Sequence, residues 1–274
     1  MPRAKQTHPL NNRRITRRHQ ARLWLLLASL SGWGCTMHRS IAPASMLVPP
    51  PAPHASSLWT ESFETLSPQQ WREVSLTGHT AYRAVEFDGR PCLRAESHAA
   101  ASILLHAVRF NPHAYPWISW SWRVERMVDG EDLARSSGSD APGRVYVYFN
   151  TWGLPWQKRS VDYVWSAMLP IGNIVPSPFS PASKLLIADG GRAAVGQWRT
   201  VERNLVEDYT RCFGSRPPDV VAIGLMTDTD STGHESLAYY GQLRISRDRP
   251  SPMTNRTAQV PIADSVATDP SLQQ

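Results

Sequence analysis

The sequence predicts an all-β fold, a single antiparallel β-sandwich of jelly-roll or concanavalin-like type. Three observations predict it. Apolar residues of the central chain recur with a period of two. The clearest runs have one apolar and one polar face, as strands of antiparallel sheets do. Only one short segment has helical spacing.

Residues 1–35 come first and stand apart. Arg3, Lys5, Arg13, Arg14, Arg17, Arg18 and Arg22 carry seven positive charges with no acid among them, and an apolar run from Leu23 to Trp33 follows. That run is far shorter than the roughly 20 residues of a membrane-spanning helix, so it predicts an export signal. Gly34-Cys35 at its end fits a bacterial lipoprotein signal in which the Cys35 thiol is acylated; ordinary secretory cleavage and an uncleaved anchor stay open beside it. The expected location is periplasmic or outer-membrane-associated, with the membrane engaged through the N-terminal lipid only. Subtracting the seven charges from the formal net +6 leaves −1, which removes the usual case for a nucleic-acid partner.

Residues 36–57 are rich in Pro, Ala and Ser and predict an extended tether. Residues 58–248 form the predicted sandwich domain, with no internal repeat and no second boundary. Its expected strands are Arg72–Leu76, Tyr82–Phe87, Cys92–Glu96, Ser102–Phe110, Trp117–Arg126, Arg144–Asn150, Asp162–Leu169, Leu185–Ala188, Trp198–Asn204, Val220–Thr227 and Tyr239–Ser246. Trp117–Arg126 alternates most cleanly, with Ile118, Trp120, Trp122 and Val124 on one face and Ser119, Ser121, Arg123 and Glu125 on the other. In Arg144–Asn150 the apolar face is Val145, Val147 and Phe149, and the face expected to meet solvent is Arg144, Tyr146, Tyr148 and Asn150. Trp120, Trp122 and Trp165 have core parity, and Trp71 and Trp198 also look structural. The one helix runs from Leu205 to Phe213, stopped by Gly214. Residues 249–274 are polar, lack aromatics and predict a disordered tail.

Several separated motifs carry a resemblance. Arg90-Pro91-Cys92-Leu93-Arg94-Ala95-Glu96-Ser97, Ser119-Trp120-Ser121-Trp122-Arg123-Val124, Asp140-Ala141-Pro142-Gly143-Arg144-Val145-Tyr146-Val147, Arg203-Asn204-Leu205 with Asp208-Tyr209, and Met226-Thr227-Asp228-Thr229-Asp230 with Tyr239-Tyr240-Gly241 stand in order. Together they resemble a bacterial family known as domain of unknown function number 3047, over about Leu58 to Ser246. The resemblance implies a single exported sandwich domain and no particular activity.

The ligand-binding candidates are Arg123, Arg144, Tyr146, Tyr148, Trp152, Trp156, Asp228 and Asp230. Aromatic faces stack on the apolar side of a sugar ring while Arg, Asp and Asn bond its hydroxyls. Trp152 and Trp156 stand in a loop-like stretch, where the alternative is packing across the end of the sandwich. Asp228 and Asp230, one residue apart, have the spacing to share a calcium ion or a proton, or to cap a turn. Cys92 and Cys212 have a disulfide or two buried thiols open to them in an exported protein. Glu96, Glu125, Asp140, Asp162 and Asp228 are too many carboxylates to choose a catalytic pair from. No nucleophile elbow or phosphate-binding glycine loop occurs. The expected function is therefore a non-catalytic binding module for a glycan or similar small polar ligand. A carbohydrate-active hydrolase or lyase using Arg and Asp, and a structural partner in envelope assembly, remain as alternatives; calcium is the one cofactor the pattern admits, and the oligomeric state is not specified.

Overall fold

A computed structural model describes residues 56–151 and 158–250. The leader with Cys35, most of the tether, Trp152 and Trp156, and nearly all of the C-terminal tail lie outside the described residues. Among the described residues, no helix is long and apolar enough to cross a membrane.

Thirteen strands are described: β1 (Ser57–Glu61), β2 (Trp71–Thr77), β3 (Ala81–Phe87), β4 (Arg90–His98), β5 (Ala101–Phe110), β6 (Trp117–Arg126), β7 (Ala141–Phe149), β8 (Ser160–Ser166), β9 (Ile174–Pro176), β10 (Ser183–Gly190), β11 (Arg199–Asn204), β12 (Val220–Asp228) and β13 (Glu235–Ser246). They form a sandwich of two sheets. The six-stranded sheet has the order β11-β6-β13-β4-β3, with β1 also pairing with β13, and the seven-stranded sheet runs β2-β5-β12-β7-β8-β10-β9. Every pairing is antiparallel except β8 with β10. That parallel pair requires a crossover, and the chain from Ala167 to Ala182 supplies it, adding β9 to the sheet edge on the way.

Period-two spacing translates directly into burial in β6, where Ile118, Trp120, Trp122 and Val124 are at most 1% exposed. Trp120 meets Trp122 edge-on at 5.3 Å, and Trp122 meets Trp165 of the opposite sheet at 5.7 Å. Edge contacts of this kind contribute about 0.5–1.5 kcal/mol beyond area burial. The Trp122 indole N–H also donates to Asp189 Oδ2 at 3.3 Å.

The helix α1 (Leu205–Phe213) closes one end. Asn204 caps it, its Oδ1 accepting from the N–H groups of Val206 and Glu207, and Gly214 ends it in the left-handed region at φ 66°. Leu205 and Tyr209 enter the core, and the Tyr209 ring meets Phe149 at 4.6 Å, tilted by 60°.

Two expectations are corrected here. The face of β7 bearing Arg144, Tyr146 and Tyr148 does not meet solvent: these residues are 3%, 8% and 2% exposed. Alternation separates two faces but does not say whether the polar one is covered, and here Val74, Ile103, Leu105 and Met226 build a second apolar cluster around both tyrosines. Cys92 and Cys212 are free thiols, not a disulfide. Leu93 and Ala95 point into the inter-sheet core that Cys212 also packs against, so strand parity sends Cys92 to the opposite side of the sheet. Burial pushes both thiols up, to about 11 for Cys92 and about 12 for Cys212.

Because the tryptophan ladder joins the two sheets, Trp122→Ala is expected to lower unfolding stability by about 3–5 kcal/mol, measured by urea denaturation.

Candidate ligand cleft

On the face of the seven-stranded sheet turned away from the core, the even-numbered residues of β7 lie beside those of β8 and β12. Asp162 is the register partner of Tyr146, and Ser160 that of Tyr148. On the other side Tyr146 pairs with Gly224 and Arg144 with Met226. Gly224 is required there: a Cβ would stand 2.9 Å from Ile103 Cγ2 and 3.4 Å from Tyr146 Cβ. The result is a cleft of about 100 Å³. One water needs roughly 10–15 Å³ of such space, so the cleft takes a small ring or a chain end.

At one end sits a buried ion pair. Arg144 Nε donates to Asp228 Oδ1 at 2.8 Å and Nη2 to Oδ2 at 3.1 Å, while Nη2 also donates to the Ser139 carbonyl at 2.8 Å. Asp228 Oδ1 accepts in addition from the Ala141 N–H at 3.2 Å. Burial opposes the charge on Arg144, but Asp228 more than offsets it and holds the guanidinium protonated. Burial likewise pushes Asp228 up, against the pull of Arg144. The Tyr240 hydroxyl supports the pair from below, donating to the Met226 carbonyl at 2.6 Å and accepting from the Arg144 N–H at 3.2 Å.

Asp140, Asp228 and Asp230 each offer an oxygen within 4.8 Å of the others. Asp140 accepts from the N–H groups of Ser231 and Thr232 at 3.1 and 2.7 Å, which fixes the β12–β13 turn. Asp228 spends both oxygens on Arg144. Asp228 and Asp140 are thus engaged by a guanidinium and by backbone donors, as in a tied-down loop.

The middle of the cleft differs. The rings of Tyr146 and Tyr148 stack 5.8 Å apart and nearly parallel, at 4°. Leu76, Ile103 and Phe179 supply apolar wall, the last from the connection between β9 and β10. Asp162 Oδ2 accepts from the Ser183 hydroxyl, which shares a 2.8 Å bond with Ser160. Two buried atoms here, Asp162 Oδ1 and Tyr148 Oη, have no hydrogen-bond partner among the described residues. Burial pushes Asp162 up to about 6, with Ser183, Ser160 and Arg144 pulling it back. Lys158 sits at the rim with its Nζ 2.9 Å from Asn150 Oδ1, and burial lowers its pKa.

Of the residues picked from sequence, Arg144, Tyr146, Tyr148, Asp228 and Asp230 line this one cleft. Arg123 does not join them. It projects from the outer face of the six-stranded sheet, paired with Glu125 and 3.5 Å from Asp88, over the Phe87 ring. Asp162, Ser160, Ser183 and Phe179 also line the cleft and were not among the ligand-binding candidates of the sequence. The available signal was a lone acid inside the apolar run Val161-Asp162-Tyr163-Val164-Trp165, a place where a carboxylate needs a reason.

A family model for a protein of unknown function, DUF3047, matches residues 69–244. The chain belongs to this family. The matched span of this DUF3047 chain includes every residue of the cleft. No curated protein sequence matches it. Among solved structures, the CBM22-1 xylan-binding domain of Paenibacillus barcinonensis Xyn10C is 11% identical at a TM-score of 0.34, covering 70% of this chain and 96% of that one. The cellulose-induced protein Cip1 is 10% identical at 0.39, covering 71% and 99%. The xyloglucanase domain of NopAA from Sinorhizobium fredii, solved with cellobiose, is 9% identical at 0.35, covering 71% and 99%. All these scores lie below 0.5.

Removing either member of the buried pair strands a charge. Asp228→Asn and Arg144→Ala are each expected to cost about 3–5 kcal/mol of stability, and Arg123→Ala less than about 1 kcal/mol, all read from chemical denaturation.

Proposed function

We propose that this DUF3047 protein is an exported, envelope-associated, non-catalytic binding module that takes a sugar ring or glycan chain end in the cleft of the seven-stranded sheet. One observation carries the reading. Asp162 Oδ1 and Tyr148 Oη are buried and unpartnered in a cleft whose remaining wall is aromatic and apolar. A buried polar group without a partner costs about 1–3 kcal/mol, and a ligand hydroxyl meets both needs, donating to the carboxylate and accepting from the phenol. The flat apolar side of a sugar ring suits the tyrosine and Phe179 surfaces. Export and lipid anchoring are supported by the seven-charge leader, its short apolar run and Cys35. A binder without turnover is supported by the commitment of Asp228 to Arg144, which takes one of the three cleft carboxylates, Asp162, Asp228 and Asp230, out of acid–base work. The alternative reading, a carbohydrate-active enzyme, is favoured by one feature: the Asp162 carboxyl, pushed up to about 6, has the pKa of a general acid near neutrality.

The test uses purified full-length protein on a glycan array, followed by calorimetric titration of any hit. Tyr148→Phe and Asp162→Asn are expected to weaken binding about tenfold each without unfolding the protein. Loss of neither would refute the cleft, and release of a shortened saccharide by wild type but not by Asp162→Asn would establish the enzyme. Stability moves the opposite way to affinity. The folded value of Asp162, about 6, lies above an unfolded value of roughly 4, so the folded state holds this proton longer. The stability this contributes is present below pH 4 and is lost as pH rises to 6. Asp162→Asn is thus expected to stabilise the protein by about 1–3 kcal/mol at pH 7.5, with the gain vanishing near pH 4. Glycan affinity falls below pH 6 as the accepting carboxylate is protonated. Thermal unfolding and titration across that range check both.

A further inference from the structure

The outer face of the six-stranded sheet carries a second hollow, of about 500 Å³, far from the cleft described above. Its floor crosses four strands: Thr200 of β11, Ser121 of β6, Gln242 of β13, and Arg90 and Pro91 of β4. Thr200 and Ser121 are register partners. The hollow exists because the β13–β6 ladder is irregular between Tyr240 and Leu243, and Gly241 occupies that stretch. A Cβ on Gly241 would lie 2.2 Å from Ser121 Oγ and 3.2 Å from the Trp198 ring. Only glycine lets Trp198 close onto the strand there. Irregular ladders of this kind recur beside binding sites, where they re-aim side chains.

Trp198 forms a wall, and the Arg90 guanidinium lies 4.8 Å from its ring centroid. Arg94, Arg123, Arg126, Arg144, Arg199 and Arg203 each have a carboxylate within ion-pair distance. Arg90, like Arg159 and Arg247, has an aromatic face and no carboxylate within ion-pair distance among the described residues. The Trp198 indole N–H is also buried, with no acceptor among the described residues. Asp88 lines the hollow too, but it is the second carboxylate of Arg123, at 3.5 Å.

We propose that this hollow is a second binding site, for a small hydroxylated carboxylate of the hexuronate kind. A guanidinium stacked on an indole is held in one plane, and its fork matches a carboxylate with two parallel hydrogen bonds. Ser121, Thr200 and Gln242 both donate and accept, as ring hydroxyls require, and the indole N–H supplies a further donor. A neutral sugar offers the Arg90 fork no carboxylate to bond, which separates this ligand from the one proposed for the cleft.

The test is titration of full-length protein with glucuronate, glucose and sulfate, by calorimetry and by following the indole N–H resonance of Trp198, assigned with Trp198→Phe. Glucuronate is expected to bind and to shift that resonance, with glucose at least about tenfold weaker. Arg90→Ala should weaken glucuronate by at least about tenfold, while Tyr148→Phe in the other cleft leaves it unchanged. No glucuronate binding, equal binding by Arg90→Ala, or loss of binding in Tyr148→Phe would overturn the site. Sulfate binding without glucuronate binding would overturn its ligand.

Discussion

The buried Arg144–Asp228 pair is the constraint on which the cleft depends. It joins β7 to the last residue of β12 across an irregularity in their ladder between Met226 and Asp228. With both residues at most 3% exposed, neither charge has water to turn to. A buried pair of this kind adds little net stability, but breaking it is expensive, so it specifies position. It holds the rim of the sheet, the start of the β12–β13 turn and the Tyr240 hydroxyl in one arrangement. The tyrosine face and Asp162 are then presented beside it at fixed register.

The two ends of the cleft differ in which groups are left unanswered. Around Asp228 the carboxylate and the guanidinium are answered within the protein, and the unpartnered atoms are the hydroxyls of Ser139 and Thr232. Around Asp162 a carboxylate oxygen itself is unanswered: a raised carboxyl, a phenol and a hydroxyl chain sit against aromatic wall, with Asp162 Oδ1 and Tyr148 Oη unpartnered among the described residues. Unanswered polar groups cost stability, and proteins retain them where a ligand supplies the missing partner.

Much of this architecture was legible in the sequence, because strict alternation of large apolar residues admits few other readings. The tryptophans of β6 and the helix Leu205–Phe213 with its Gly214 stop are examples. What stayed hidden is long-range. Arg144 and Asp228 are 84 positions apart, and nothing local marks them as partners. Alternation in β7 likewise separated Tyr146 and Tyr148 from the core without showing that a second apolar cluster would cover them. β1 and β9, of five and three residues, are too short to carry a period. Arg123 was grouped with Arg144 because both stand on polar faces of alternating strands, and only the sheet order shows that those strands lie in different layers.

The most direct measurement is a crystal structure of the protein soaked or co-crystallised with a saccharide selected on the glycan array. A single ring is expected against Tyr146, Tyr148 and Phe179, with one hydroxyl donating to Asp162 Oδ1 and one accepting from Tyr148 Oη, and the Arg144–Asp228 pair unmoved. A saccharide bound elsewhere, with Asp162 and Tyr148 still unpartnered or bonded only to water, would contradict it.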